Sequence, residues 1–159
     1  MPYPTDPLQS MAAGPPLGFR FGVFFFIGGA NPNRLDTRFR KVSGIGSTLS
    51  THSLNEGGQN LFSQRLPDRV QYENLVLERG LALGSLLAQE FDTTMSLFQF
   101  NPSNVLVSLL DEAGVNINSW LFQTAYPVKW SISPFDAEAN QVVIETLELS
   151  YQRMQSIKL

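Results

Sequence analysis

Apolar residues along much of this chain recur at every second position, and that spacing restricts those stretches to β-strands. From Phe19 to Ile27 the odd positions Phe19, Phe21, Val23, Phe25 and Ile27 form one apolar face, and Arg20, Gly22, Phe24 and Phe26 form the other. This strand becomes two-sided towards its end. Val105 to Leu110 follows the turn signal Asn101-Pro102-Ser103-Asn104 and is apolar on both faces, as a central strand must be. Gln141 to Tyr151 is also two-faced, with Val142 and Ile144 opposing Val143, Leu147 and Leu149.

Further strands are predicted over Thr37 to Ile45, Thr48 to Leu54, Val70 to Arg79 and Val115 to Trp130, the last bent at Pro127. Asp111-Glu112-Ala113-Gly114 connects two of them as a hairpin, and Ser133-Pro134-Phe135-Asp136 is a turn. One short helix is predicted from Leu83 to Met95, with Ser85 as a cap for its longer part. These elements define a mainly β fold: an antiparallel β-barrel or sandwich with one flanking α-helix. At 159 residues the chain fits one domain, taken as 19–159. It is preceded by a non-regular arm, 1–18, that contains Pro2, Pro4, Pro7, Pro15 and Pro16.

Composition removes several classes of function. A net charge of −3, with 11 Lys and Arg scattered along the chain, provides no basic stripe for nucleic acid. The apolar run Val23-Phe24-Phe25-Phe26-Ile27 is far short of the roughly 20 residues that span a membrane as a helix, so no direct membrane insertion is expected. Absence of cysteine excludes disulfides and thiolate metal sites. The single histidine, His52, lies among Ser50, Thr51 and Ser53 and reads as structural. Asp111 and Glu112 are neighbours whose side chains diverge on a strand, so they do not form an acid/base pair. Trp120, Tyr126 and Trp130 read as core aromatics, since the basic groove that accompanies base stacking is missing. No cofactor, metal or enzymatic activity is therefore expected. Twelve phenylalanines among only 16% charged residues load a small domain with more apolar surface than a monomer easily hides, which points to other subunits.

Between Asn55 and Pro67 the chain is polar and glycine-containing, too long for a tight hairpin and too apolar for simple disorder. Glu56, Gly57, Gly58, Asn60, Leu61, Phe62 and Leu66 mark it as a docking loop with Leu61 and Phe62 as its anchors. The ordered set Val42-Ser43-Gly44, Glu56-Gly57-Gly58 to Asn60, Leu66-Pro67, Asn74-Leu75-Val76-Leu77, Pro127-Val128-Lys129-Trp130 and Ile144-Glu145-Thr146-Leu147-Glu148-Leu149 resembles the tail-tube protein family of T4-like contractile phage tails and related contractile injection systems.

That resemblance implies a small β-barrel or sandwich forming hexameric rings, which stack into a hollow tube inside a contractile sheath. The implied partners are copies of the chain itself, sheath subunits, and spike, hub and baseplate proteins. The implied setting is assembly in the cytoplasm into a particle that can be released. Pro15-Pro16-Leu17-Gly18-Phe19 resembles the subgroup that forms the first ring or rings beside the spike. Asp68 stands where the family often has glycine, and Leu81 to Phe100 lacks the charged, Trp-rich character of main-tube members. Repeating subunit and tube initiator both stay open, as do a monomeric β-sandwich module for carbohydrate or peptide and a baseplate or cap adaptor.

Overall fold

The structure is a computed structural model and describes residues 20–26, 39–55, 57–58 and 61–158. Their elements are β1 (Phe21–Phe26), β2 (Lys41–Ser43), β3 (Ser47–Leu54), β4 (Gln64–Tyr72), β5 (Leu75–Gly80), α1 (Leu86–Leu97), β6 (Ser103–Leu110), β7 (Asn116–Ile132), β8 (Ile144–Ser150) and β9 (Arg153–Ile157). The arm 1–18 lies outside the described residues.

Every strand pairing is antiparallel, and two layers share β7. In one layer β6 is flanked by β1 and β7, and β9 adds to the other side of β7. In the other, β8 lies between β7 and β5, with β2 at the edge. Residues 116–125 of β7 serve the first layer and residues 126–132 the second. Thr124, at φ 54, stands at the change of partner, and a register shift follows between Pro127 and Lys129. The bend expected at the proline is therefore shared between a left-handed threonine and a bulge beside Pro127. Among the described residues the strand path β1-β6-β7-β8-β5-β2 does not close on itself, so the architecture is a sandwich and not a barrel.

The alternating positions meet between the layers as predicted. Val23, Phe25, Val105, Val107 and Phe122 from the first layer face Leu75, Leu77, Leu147 and Leu149 from the second, with Leu87 and Phe91 of α1 completing the core. Ser85 caps α1 as anticipated, its Oγ accepting the Ala88 N–H at 3.2 Å. The helix starts at Leu86 and runs to Leu97, past Met95.

Several predicted boundaries move. Of Thr37 to Ile45 only Lys41–Ser43 is a strand; Thr37 and Arg38 lie outside the described residues, and Gly44, at φ +81, turns the chain. Val70 to Arg79 is two strands, because β4 pairs with β3 whereas β5 pairs with β8 and β2. Gln64 to Pro67 belongs to β4, which shortens the loop predicted from Asn55. At the C-terminal end β8 begins at Ile144 and not Gln141, and β9 is an additional strand that covers the second edge of β7.

Candidate assembly surface

Among the described residues β3 and β4 pair only with each other, forming a two-stranded sheet separate from the sandwich. Leu49 faces Val70 and His52 faces Leu66 in its register. Between Leu49 and Thr51 the register shifts, and Ser50 opposes both Asp68 and Arg69; its Oγ accepts the Arg69 N–H at 3.2 Å and donates to the Arg69 carbonyl at 3.0 Å. Isolated two-stranded hairpins are marginal in water. Here Leu49, Leu54, Leu66 and Val70 are all exposed, so among the described residues nothing covers either face of the ribbon.

The sequence-predicted loop residues cluster at the far end of this ribbon. Gly57 and Gly58 form a turn, Gly58 at φ +97, a conformation that glycine adopts without strain. Leu61 is 92% exposed and Phe62 58%. Leu66 is strand, not loop, and Glu56 and Asn60 lie outside the described residues. At the opposite end Tyr72 packs at a tilt against Tyr151, ring centroids 5.4 Å apart, and Tyr151 meets Phe122 edge-to-face at 4.8 Å, which roots the ribbon in the core. Burial raises the Tyr151 hydroxyl above the usual 10.0, with Tyr72 and Glu73 adding to it, so this phenol stays neutral and acts by packing.

A second exposed surface lies at the end of α1. Phe98 is the C-cap at φ 54, ψ 35, a position commonly taken by glycine, and its ring is 82% exposed. It meets Phe100 edge-to-face at 4.9 Å, and Phe100 meets Tyr126 edge-to-face at 5.8 Å.

The position of α1 is set by a cluster that sequence reasoning missed. Arg79 Nε donates to Glu145 Oε2 at 2.7 Å, with both side chains almost wholly buried. A second guanidinium nitrogen donates to Ser85 Oγ at 2.8 Å, and Trp130 Nε1 donates to Glu145 Oε1 at 2.7 Å. The Arg79 guanidinium lies 5.5 Å from the centroid of the Phe39 ring. A signal was present: Arg79 continues the buried phase of Leu75 and Leu77, and Glu145 that of Leu147 and Leu149. A charge in an apolar phase requires a partner, and β5–β8 pairing places these two opposite each other.

The remaining polar candidates do not converge. His52 is exposed on β3. Asp111 and Glu112 sit in the β6–β7 turn, where Asp111 Oδ1 accepts the Val115 N–H at 2.8 Å. Trp120 packs against the core as expected, but Trp130 is 45% exposed, with only its indole N–H turned to Glu145. Among the described residues no group of three or more His, Cys, Asp or Glu is placed to hold a metal ion, and no helix is long and apolar enough to cross a membrane.

This fold, a β-sandwich with a separate two-stranded ribbon, matches known proteins. The sequence pattern of the T4-like virus tail tube protein gp19 family fits residues 17–155. The chain belongs to this tail tube family. No curated protein sequence matches it significantly. Among solved structures, a chain of the anti-feeding prophage baseplate, reconstructed with 6-fold symmetry, is 36% identical, with a TM-score of 0.84 over 91% of this chain and 97% of that one. A chain of the sheath–tube complex of the PVC extracellular contractile injection system in its extended state is 22% identical, with a TM-score of 0.79 over 98% and 100%. A chain of the anti-feeding prophage tube-terminating cap is 23% identical, with a TM-score of 0.77 over 92% and 93%. The last two establish a shared tail tube fold. Tail tube family proteins are structural components, and this chain is a component of that tail tube type.

Proposed function

We propose that this tail tube protein forms a hexameric ring at the baseplate end of a contractile injection particle or phage tail, as the initiator on which the repeating tube is built. The observation that carries this reading is the identity gradient: 36% to a baseplate chain against 22% to a chain from a sheath–tube complex. Ring formation draws on the first layer. Among the described residues β1 and β9 each pair on one side only, and such edges are templates for strand pairing with another copy. A contact between unlike surfaces of identical subunits closes a ring or propagates along an axis. The chain acts as a wall component and not as an enzyme. It meets further copies of itself, the spike or hub below and the first tube ring and sheath above, and is assembled in the cytoplasm with residues 1–18 as an arm of the domain 19–159.

Negative-stain electron microscopy across a concentration series tests this. Isolated rings that stack only when tube subunits are added are the expected result. Long tubes from the protein alone would assign it to the repeating tube instead, and a persistent monomer with a saturable ligand site would replace both readings with a binding module.

The loop of Gly57, Gly58, Leu61 and Phe62, with Glu56 and Asn60 beside them and Leu66 on the adjoining strand, makes the contact between subunits or rings. Replacing Leu61 and Phe62 together with Ser is expected to reduce assembly at least tenfold, since each buried side chain contributes about 1.5–3 kcal/mol. The circular dichroism and melting temperature of the subunit should be unchanged. Both are read by sedimentation velocity beside thermal unfolding, and undiminished assembly would remove the loop from the interface.

A further inference from the structure

Beside the buried Arg79–Glu145 pair a slot of about 280 Å³ opens between α1 and β7, lined by Gly84, Ser85, Ala88, Gln89, Asp92 and Trp130. Ala88 and Gln89 precede Asp92 by four and three residues, so all three stand on one face of α1. Trp130 supplies the wall from β7. Glu145 accepts its indole N–H at 2.7 Å while 45% of the residue stays exposed, so the ring is fixed before any ligand arrives. The volume lies below the roughly 300–1,000 Å³ of pockets for drug-sized ligands, which suits one side chain and not a cofactor.

Charge selects the kind of side chain. Asp92 is the only ionisable residue lining the slot. Its carboxylate accepts one long hydrogen bond from Ser96 Oγ at 3.4 Å, and among the described residues no cation pairs with it. Behind Ser85 and Trp130, Arg79 and Glu145 neutralise each other. The positive end of α1 acts only within its first turn, and Asp92 lies beyond it. An anion would be repelled by this carboxylate, and an apolar side chain would bury it without a partner. A guanidinium satisfies both walls. It lies flat on the indole while its forked N–H groups reach Asp92 and the Gln89 side-chain carbonyl, which a lysine ammonium matches only in part.

We infer that this slot takes the arginine side chain of a different protein chain, presented from a loop or an extended segment. Another copy of this chain is the poorer source, because its net charge is −3. The assignment goes beyond ring formation and does not depend on it.

Fluorotryptophan-labelled full-length protein tests this by fluorine NMR, since the chain has only Trp120 and Trp130 and the variant Trp130→Phe assigns the signals. A capped Gly-Arg-Gly peptide should shift the Trp130 signal saturably. The same peptide with lysine should bind about threefold or more weakly, and with neutral citrulline not at all. Asp92→Asn should weaken the arginine peptide about fivefold or more. Asp92 is exposed, so the melting temperature of this variant should match the wild type. No saturable shift, an equal shift with citrulline, or undiminished binding in Asp92→Asn would overturn the site. Loss of the protein's own rings on adding the arginine peptide would place a second copy in the slot and overturn the assignment to a different chain.

Discussion

Glu145→Ala is expected to lower the unfolding free energy in urea by about 3–5 kcal/mol, the loss typical when one partner of a buried ion pair is removed. The substitution strands the Arg79 guanidinium, whose side chain is only 3% exposed, and removes the acceptor of the Trp130 indole N–H. Arg79 also donates to Ser85, the cap of α1, so the helix start should loosen with the pair. Trp130 fluorescence should therefore shift before global unfolding. The double change Arg79→Met with Glu145→Leu should lose much less than the single one, because no charge then remains buried without a partner. A single variant within 1 kcal/mol of wild type would mean that the pair is not what holds α1 to the sheet.

The second large effect is expected at Gly44. Its φ is +81, and an added Cβ would stand 1.9 Å from the Asn74 carbonyl oxygen. Backbone atoms cannot swing aside as a side chain end can. Gly44→Ala should therefore cost about 2–5 kcal/mol, combining left-handed strain with forced displacement of the chain between β4 and β5. Gly58→Ala is the matched comparison, with φ +97 but nothing within 4 Å of the added Cβ, and only the conformational part, about 1–2 kcal/mol, should appear. Thermal unfolding of both variants reads the difference, and equal losses would show that close approach to Asn74 contributes nothing.

What was legible in the sequence was the alternation. A residue facing the core repeats at every second position whichever strand it pairs with, so Val23 and Phe25, Val105 and Val107, and Leu147 and Leu149 all declared themselves as core. Pairing is a long-range property and leaves a weaker trace. Val70 to Arg79 looks continuous because alternation survives the break at Glu73–Asn74, where the chain leaves the ribbon and enters the sandwich. Likewise Arg153 to Ile157 has a polar character that hides a strand, and only the open edge of β7 makes it one. At the candidate surface the glycines and the anchors Leu61 and Phe62 could be seen in the sequence because they are local turn and hydropathy signals. The aromatic row could not be seen, since Phe98 and Phe100 meet Tyr126 from a different element. Arg79 and Glu145, 66 residues apart, were readable only as charges in the wrong phase.

The 17-residue strand β7 belongs to both layers. In an aligned sandwich the two sheets meet through interdigitating side chains. Here the covalent backbone itself crosses from one to the other, and β6, β8 and β9 are hydrogen-bonded along it. A force applied to one layer therefore reaches the other through peptide bonds and sheet ladders, with no slip plane between them. A wall made of such units transmits thrust as a stiff body, which is what a conduit needs when it is driven forward from one end.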